Sequence, residues 1–417
     1  MRRTLWRSAH AGAGAILLMC LTACPGGSGS SPGGTAPATP PPVNNVQPVV
    51  VDYGPTVNGQ PAGYNDALYT TVTICVPGTT TCQSIDHVLV DTGSTGLRLV
   101  SSLVTLTLPY IKDANKNLIG NCVQYADSTY QWGPIVGADI QLAGEVASSV
   151  PIHIIGASNF AAAPAACSAG GTAAQTVTDL GANGILGVGL FRQDCGAACS
   201  STSPAAVYFT CPAAGCTPTA VALSAQLQNP VWMFPQDNNG LAIILPQVSA
   251  TGAVSVSGSM IFGIGTQSNN GLHSALAQAT DSSGNFTTTF KGVAYSASFI
   301  DSGSNGLFFL DSTITGLPDC TSSSAQGFYC PTSPVSFTAI NTGPNPNGSG
   351  PVVSTNVAFS IANAVTLINS PETAFNNLGG DHAGAFDWGL PFFFGRTVFL
   401  GIEGQSTGTA TGPFWAY

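Results

Sequence analysis

The sequence predicts an all-β protein with minor helix, folded as two similar lobes with a cleft between them. Three observations lead there. Charged residues make up only 7% of the chain, so Lys and Glu, which favour helices, are scarce beside abundant Val, Thr and Ser. Strand-like runs punctuated by Gly, Pro or Asn recur along the chain, and no stretch carries a long 3.6-residue apolar period with caps. Finally, an apolar run ending in Asp, followed by a hydroxyl residue, Gly and Ser, occurs at Asp91 and again 210 residues later at Asp301. A repeated motif in a chain of 417 residues points to two units, with the boundary near residue 238.

The chain opens with a basic stretch (Arg2, Arg3, Arg7), a short apolar run over residues 15–21, and Leu21-Thr22-Ala23-Cys24. The apolar run is too short to span a bilayer as a mature helix. The pattern resembles a bacterial lipoprotein signal, which implies that residues 1–23 are removed and Cys24 is lipidated. An ordinary secretory signal is the alternative. Pro25 rather than Asp after the cysteine implies the outer membrane by the sorting rules of Gram-negative bacteria. Residues 24–48 then form the anchored Cys and a Pro/Gly/Ser tether that cannot bury a core and holds no basic pro-segment. Without the leader, six cations face nineteen anions, a net charge of −13. Such a chain lacks the basic clusters that bind nucleic acid.

The first lobe spans residues 49–238, with strands read at 69–76, 85–90, 135–142 and 150–155. Ala-rich stretches at 160–175 and 217–227 read as short helices. Ten cysteines remain beyond the leader and anchor, an even number that admits five disulfides in an exported chain. Cys75 with Cys82 and Cys320 with Cys330 are local pairs, and Cys122 with Cys167 is the longer link. Cys195, Cys199, Cys211 and Cys216 pair either nested or adjacent. Their spacing also admits zinc, which the lack of an accompanying His and competing oxidation disfavour.

The second lobe spans residues 239–417. Downstream of Asp91 comes Asn183-Gly184-Ile185-Leu186-Gly187, and downstream of Asp301 comes Phe386-Asp387-Trp388-Gly389. Glycine at the end of each allows another backbone to approach closely. Two Asp brought face to face make a catalyst, because adjacent carboxylates cannot both ionise and share one proton.

In these residues the chain resembles the pepsin-type aspartic proteases. Asp91-Thr92-Gly93-Ser94 and Asp301-Ser302-Gly303-Ser304 match that family's two loops. Ile185-Leu186-Gly187 and Asp387-Trp388-Gly389 match its two crossing strands. Gln124-Tyr125-Ala126-Asp127-Ser128, leading to Gly133-Pro134-Ile135-Val136-Gly137-Ala138-Asp139, matches its flap hairpin. Ser259-Met260-Ile261-Phe262-Gly263 resembles the strand that opens its second lobe. The likeness covers residues 65 to 403 in ordered patches. The lipidation box and the C-terminal Gly412-Pro413-Phe414-Trp415-Ala416-Tyr417 also resemble a bacterial lipoprotein family without assigned function. Three departures stand out: Arg98 in place of a Trp that supports the flap Tyr, Asp387 in place of an apolar residue, and no tip glycines in the flap.

The resemblance implies an envelope-anchored endopeptidase in which Asp91 and Asp301 hold a water and cleave a peptide bond. It implies that Gly93 and Gly303 form tight turns and that Ser94 and Ser304 hydrogen-bond the carboxylates. Thr92 and Ser302 bond across the lobes, and Tyr125 closes over substrate. The implied partners are a peptide or protein substrate and the membrane, reached through lipid on Cys24. The chain is expected to be monomeric, with no metal or organic cofactor required. A silent binding or scaffold protein on the same fold is the alternative. In a third reading the Asp units are turns, and Trp132, Trp388 and Trp415 line a glycan-binding surface. Gly404-Gln405-Ser406-Thr407-Gly408 fits a serine-hydrolase pattern, but no acid or His follows it, and it reads as a turn. A dyad with serine support works best in acid, whereas the bacterial envelope is near neutral, so activity there requires an acidic niche or carboxyls titrating higher than usual.

Overall fold

A computed structural model describes residues 44–125, 127–169, 171–201, 206–348 and 350–417. The leader and Cys24 lie outside the described residues. The described chain is mostly β, with two curled sheets, one of sixteen strands and one of seven, and a two-stranded ribbon. Its α-helical segments run to five residues at most. None of the described helices is long and apolar enough to cross a membrane.

The strands read from the first half form as Leu68–Cys75, Cys82–Asp91, Thr129–Leu142 and Glu145–Ile155. Of the Ala-rich stretches, the first holds the helix Ala165–Ser168 and the second only the 3-10 turn Leu223–Ala225. One boundary needs correction. Val46–Val51 is a strand, so the last residues assigned to the tether belong to the fold. Val46, Gln47 and Pro48 pair with Ile261, Met260 and Ser259. The buried Gln47 side chain donates to Thr70 Oγ1 and Thr71 O, both at 2.9 Å, and Val49 and Val51 enter the core. Composition hid the strand because Gln47 and Pro48 in its first half read as a continuation of the tether.

The larger sheet runs from the first half through Val46–Val51, Val256–Phe262 and Gly240–Leu245 to Arg396–Gly401 and Phe414–Ala416. It therefore joins strands from both halves of the chain. The boundary read near residue 238 falls just before Gly240–Leu245.

Each half builds the same crossing. Gly184–Val188 lies parallel to Cys82–Asp91 and antiparallel to Thr95–Val100, with Gly187 opposite Asp91 and Gly96. His382–Trp388 lies parallel to Val293–Ile300 and antiparallel to Leu307–Leu310, with Trp388 opposite Ile300 and Leu307. The close approach expected at the following glycines is present. A Cβ on Gly187 would sit 2.7 Å from Thr95 backbone, and one on Gly389 only 2.1 Å from Gly306 O. The cores differ: Val, Ile and Leu fill the first half, whereas Phe290, Phe309, Phe337, Phe359, Phe386 and Trp388 pack ring against ring in the second.

All five disulfides form: Cys75–Cys82, Cys122–Cys167, Cys195–Cys199, Cys211–Cys216 and Cys320–Cys330. The four ambiguous cysteines thus pair adjacently and are not free to ligate zinc.

Candidate active site

Each apolar strand delivers its Asp to the end of a crossing, and the following Gly turns the chain back so that the peptide N–H points at the carboxylate. Gly93 N–H donates to Asp91 Oδ1 at 2.8 Å and Gly303 N–H donates to Asp301 Oδ1 at 2.8 Å. Gly93 N–H also reaches Asp301 Oδ1 at 3.0 Å, so one donor serves both carboxylates. The fit leaves no room for a side chain. A Cβ on Gly93 would lie 2.5 Å from Asp301 Cγ, and one on Gly303 would lie 2.8 Å from Asp91 Cγ.

The hydroxyl residues lock the loops across the lobes. Thr92 N–H donates to Ser302 Oγ at 3.1 Å, and Ser302 N–H donates to Thr92 Oγ1 at 2.9 Å. Ser302 Oγ–H in turn donates to Val90 O at 2.8 Å. These groups are buried, so losing either partner strands a polar group away from water.

Ser94 Oγ–H donates to Asp91 Oδ2 at 2.5 Å. Ser304 Oγ lies 3.1 Å from Asp301 Oδ2 and 2.6 Å from Asp387 Oδ2. Asp387 was legible in the sequence only as a departure. Its signal was an acid inside an apolar run. Asp301 is 1% exposed and Asp91 4%. Burial, then the charge of Asp91, then that of Asp387 push the Asp301 carboxyl well above the usual range.

The hairpin that resembles a flap in sequence joins Leu118–Gln124 to Thr129–Leu142. In place of tip glycines, Ser128 takes a left-handed φ of 60°, and Asp127 Oδ1 accepts from Thr129 N–H at 3.0 Å and Thr129 Oγ1 at 2.6 Å. The Cys122–Cys167 disulfide and the bond from Gln124 Nε2 to Cys167 O (2.8 Å) tie its base to the helix Ala165–Ser168. Tyr125 is 7% exposed and packs with Tyr69, Leu89, Leu180 and Ile185. Its hydroxyl donates to Gln131 Oε1 at 2.8 Å, a partner on its own hairpin.

Arg98 stands where the resemblance leads one to expect a Trp. It is buried, donates to Thr95 O at 2.9 Å, and faces Asp194 at 3.7 Å. Asp194 Oδ1 also accepts from Tyr208 Oη at 2.6 Å. Burial pushes the Asp194 carboxyl up to about 6 against the pull of Arg98. The neighbouring His153 is buried, which, with the Arg98 charge, drives its pKa well down and keeps it neutral. Sequence reading missed this network because Asp194 sits in a Cys-rich loop far along the chain.

Trp132, Trp388 and Trp415 are all buried, so they line no surface for glycan. The indole of Trp132 donates to Ala161 O, and that of Trp388 to Thr288 Oγ1.

Among solved structures, the aspartic proteinase from Irpex lacteus is similar over 89% of this chain and 96% of that one, at 15% identity and a TM-score of 0.48. No curated protein matches the chain in sequence. Residues 41–417 match the family model described as "Protein of unknown function (DUF3443)", and the chain belongs to that family.

Proposed function

We propose that the protein is an aspartic endopeptidase anchored in the cell envelope through Cys24. The observation that carries this reading is the single Gly93 N–H shared by two carboxylates, on loops locked reciprocally by Thr92 and Ser302. In the working state the pair shares one proton, held on Asp301. Asp91 takes a proton from a water as its oxygen attacks the scissile carbonyl carbon, and Asp301 gives its proton to the carbonyl oxygen. The resulting diol collapses as one of its hydroxyls returns a proton to Asp301 and the C–N bond breaks, the leaving nitrogen taking the proton held by Asp91. The five disulfides fit an oxidising compartment outside the cytoplasm, in keeping with the lipidation box.

The low exposure of both carboxyls and the burial of Tyr125 favour a second reading, a catalytically silent binding or scaffold protein on the same fold. One experiment separates them. The protein is incubated with a mixed peptide library across roughly pH 3 to 8, a range that brackets carboxyl titration, with and without pepstatin. Cleavage that disappears in both Asp91→Asn and Asp301→Asn establishes the dyad. Absence of cleavage at every pH by folded protein favours the silent reading.

A further inference from the structure

The two crossings place different side chains beside their Asp strands. In the first half the position is Ile185, opposite Leu89 and Arg98. In the second half the residue in that register is Asp387, opposite Phe299 and Phe308. Asp387 is 1% exposed, and its Oδ2 lies 2.6 Å from the same Ser304 Oγ that lies 3.1 Å from Asp301 Oδ2. A serine hydroxyl carries one hydrogen. It can donate to one of these carboxylates, and the other contact is a hydrogen bond only if that carboxyl supplies a proton. The Ser94 hydroxyl, by contrast, bonds Asp91 and no second acid among the described residues.

The three acids therefore form a chain. Gly93 N–H joins Asp91 to Asp301, and Ser304 joins Asp301 to Asp387. The loop 301–306 and the strand Leu307–Leu310, both packed against Asp387, bring no Lys, Arg or His. On the strand Val293–Ile300 the titratable residue is Tyr295, which packs on Phe386. On its own strand His382 stands at the far end, opposite Leu310.

We propose that Asp387 is a positioning acid of the site, which acts through Ser304 to keep Asp301 protonated at a higher pH than two carboxylates alone would allow. Removing the Asp301 proton leaves three adjacent carboxyls with one serine hydroxyl between two of them, an arrangement the Asp91 side never faces. The direction of the Asp301 shift, to which the Asp387 charge contributes, agrees. The catalytic consequence rests on the endopeptidase reading and suits a near-neutral envelope.

The test is Asp387→Asn, with Asp387→Ile copying the other half. Carbon-13 NMR of the Asp carboxyls, with the Asp301 signal assigned through Asp301→Asn, follows titration without requiring activity. The Asp301 midpoint is expected to fall by about one pH unit or more in both variants, and the alkaline limb of peptide cleavage to fall with it. An unchanged midpoint in folded Asp387→Asn overturns the proposal. A shifted midpoint in a protein that cleaves no peptide upholds the role of Asp387 and sinks the endopeptidase reading instead. If Asp387→Ile does not fold, the Asn variant decides alone.

Discussion

The two Asp loops share a backbone and differ in their surroundings. Both present the carboxylate to the following glycine N–H at 2.8 Å, and both lean on a serine three residues on. Behind Asp91 the crossing strand supplies Ile185, and behind Asp301 it supplies Asp387. The backbone symmetry brings the two carboxyls together, while one side chain on one crossing strand makes their protonation unequal. Pairing and asymmetry are thus set by different parts of the structure.

The largest effect breaks the pairing. Asp91→Asn and Asp301→Asn are each expected to lower peptide cleavage at least about 10³-fold, measured as kcat/KM at the optimal pH. Comparable losses in both would show that neither half works alone. Next comes crowding of the pair. Gly93→Ala places a Cβ 2.5 Å from Asp301 Cγ, against 2.8 Å from Asp91 Cγ for Gly303→Ala. Both should cost about 10²-fold in kcat through displaced carboxyls, with Gly93→Ala the worse.

Ser302→Ala tests the lock rather than the chemistry. It leaves Thr92 N–H and Val90 O without their Ser302 bonds, and should lower stability by about 1–3 kcal/mol in urea unfolding. Asp66→Asn tests the second junction between halves. Asp66 N–H donates to Thr373 O at 2.7 Å, and Asp66 Oδ1 accepts from Phe375 N–H at 2.6 Å. Burial holds its carboxyl well above the usual range. Its contribution to stability is therefore full below the unfolded value of about 3.9 and is lost as pH rises through the folded value. Asp66→Asn should raise stability at neutral pH by about 1–3 kcal/mol and flatten the decline between acid and neutral urea midpoints. The smallest effect is that of Tyr125→Phe, about 0.5–1.5 kcal/mol, through loss of the bond to Gln131. A larger fall in kcat than in stability would assign Tyr125 to substrate as well.

Much of this site was legible. The Asp loops and the crossing strands are local patterns, in which an apolar run, a turn residue and a glycine lie within a few positions of one another. The cysteine pairs separated by 7 and 10 residues were equally readable. The contacts of Asp387, Asp66 and Asp194 were not, since each acts through a group brought to it by packing. The strand at Val46–Val51 was hidden by its local composition, and the partner that fixes it, Val256–Phe262, lies in the other half of the chain.

The chain alone settles that two Asp turns exist, each with a hydroxyl residue and a glycine to shape it, in a mostly β protein of low charge. Periodicity and turn chemistry act over a few residues, so they survive without tertiary context. Only the packed chain decides that Ser304 stands between two acids, that Arg98 turns to Asp194, and that Gly93 serves both carboxylates. Those contacts depend on strand register, where a one-residue slip would carry each side chain to the opposite face.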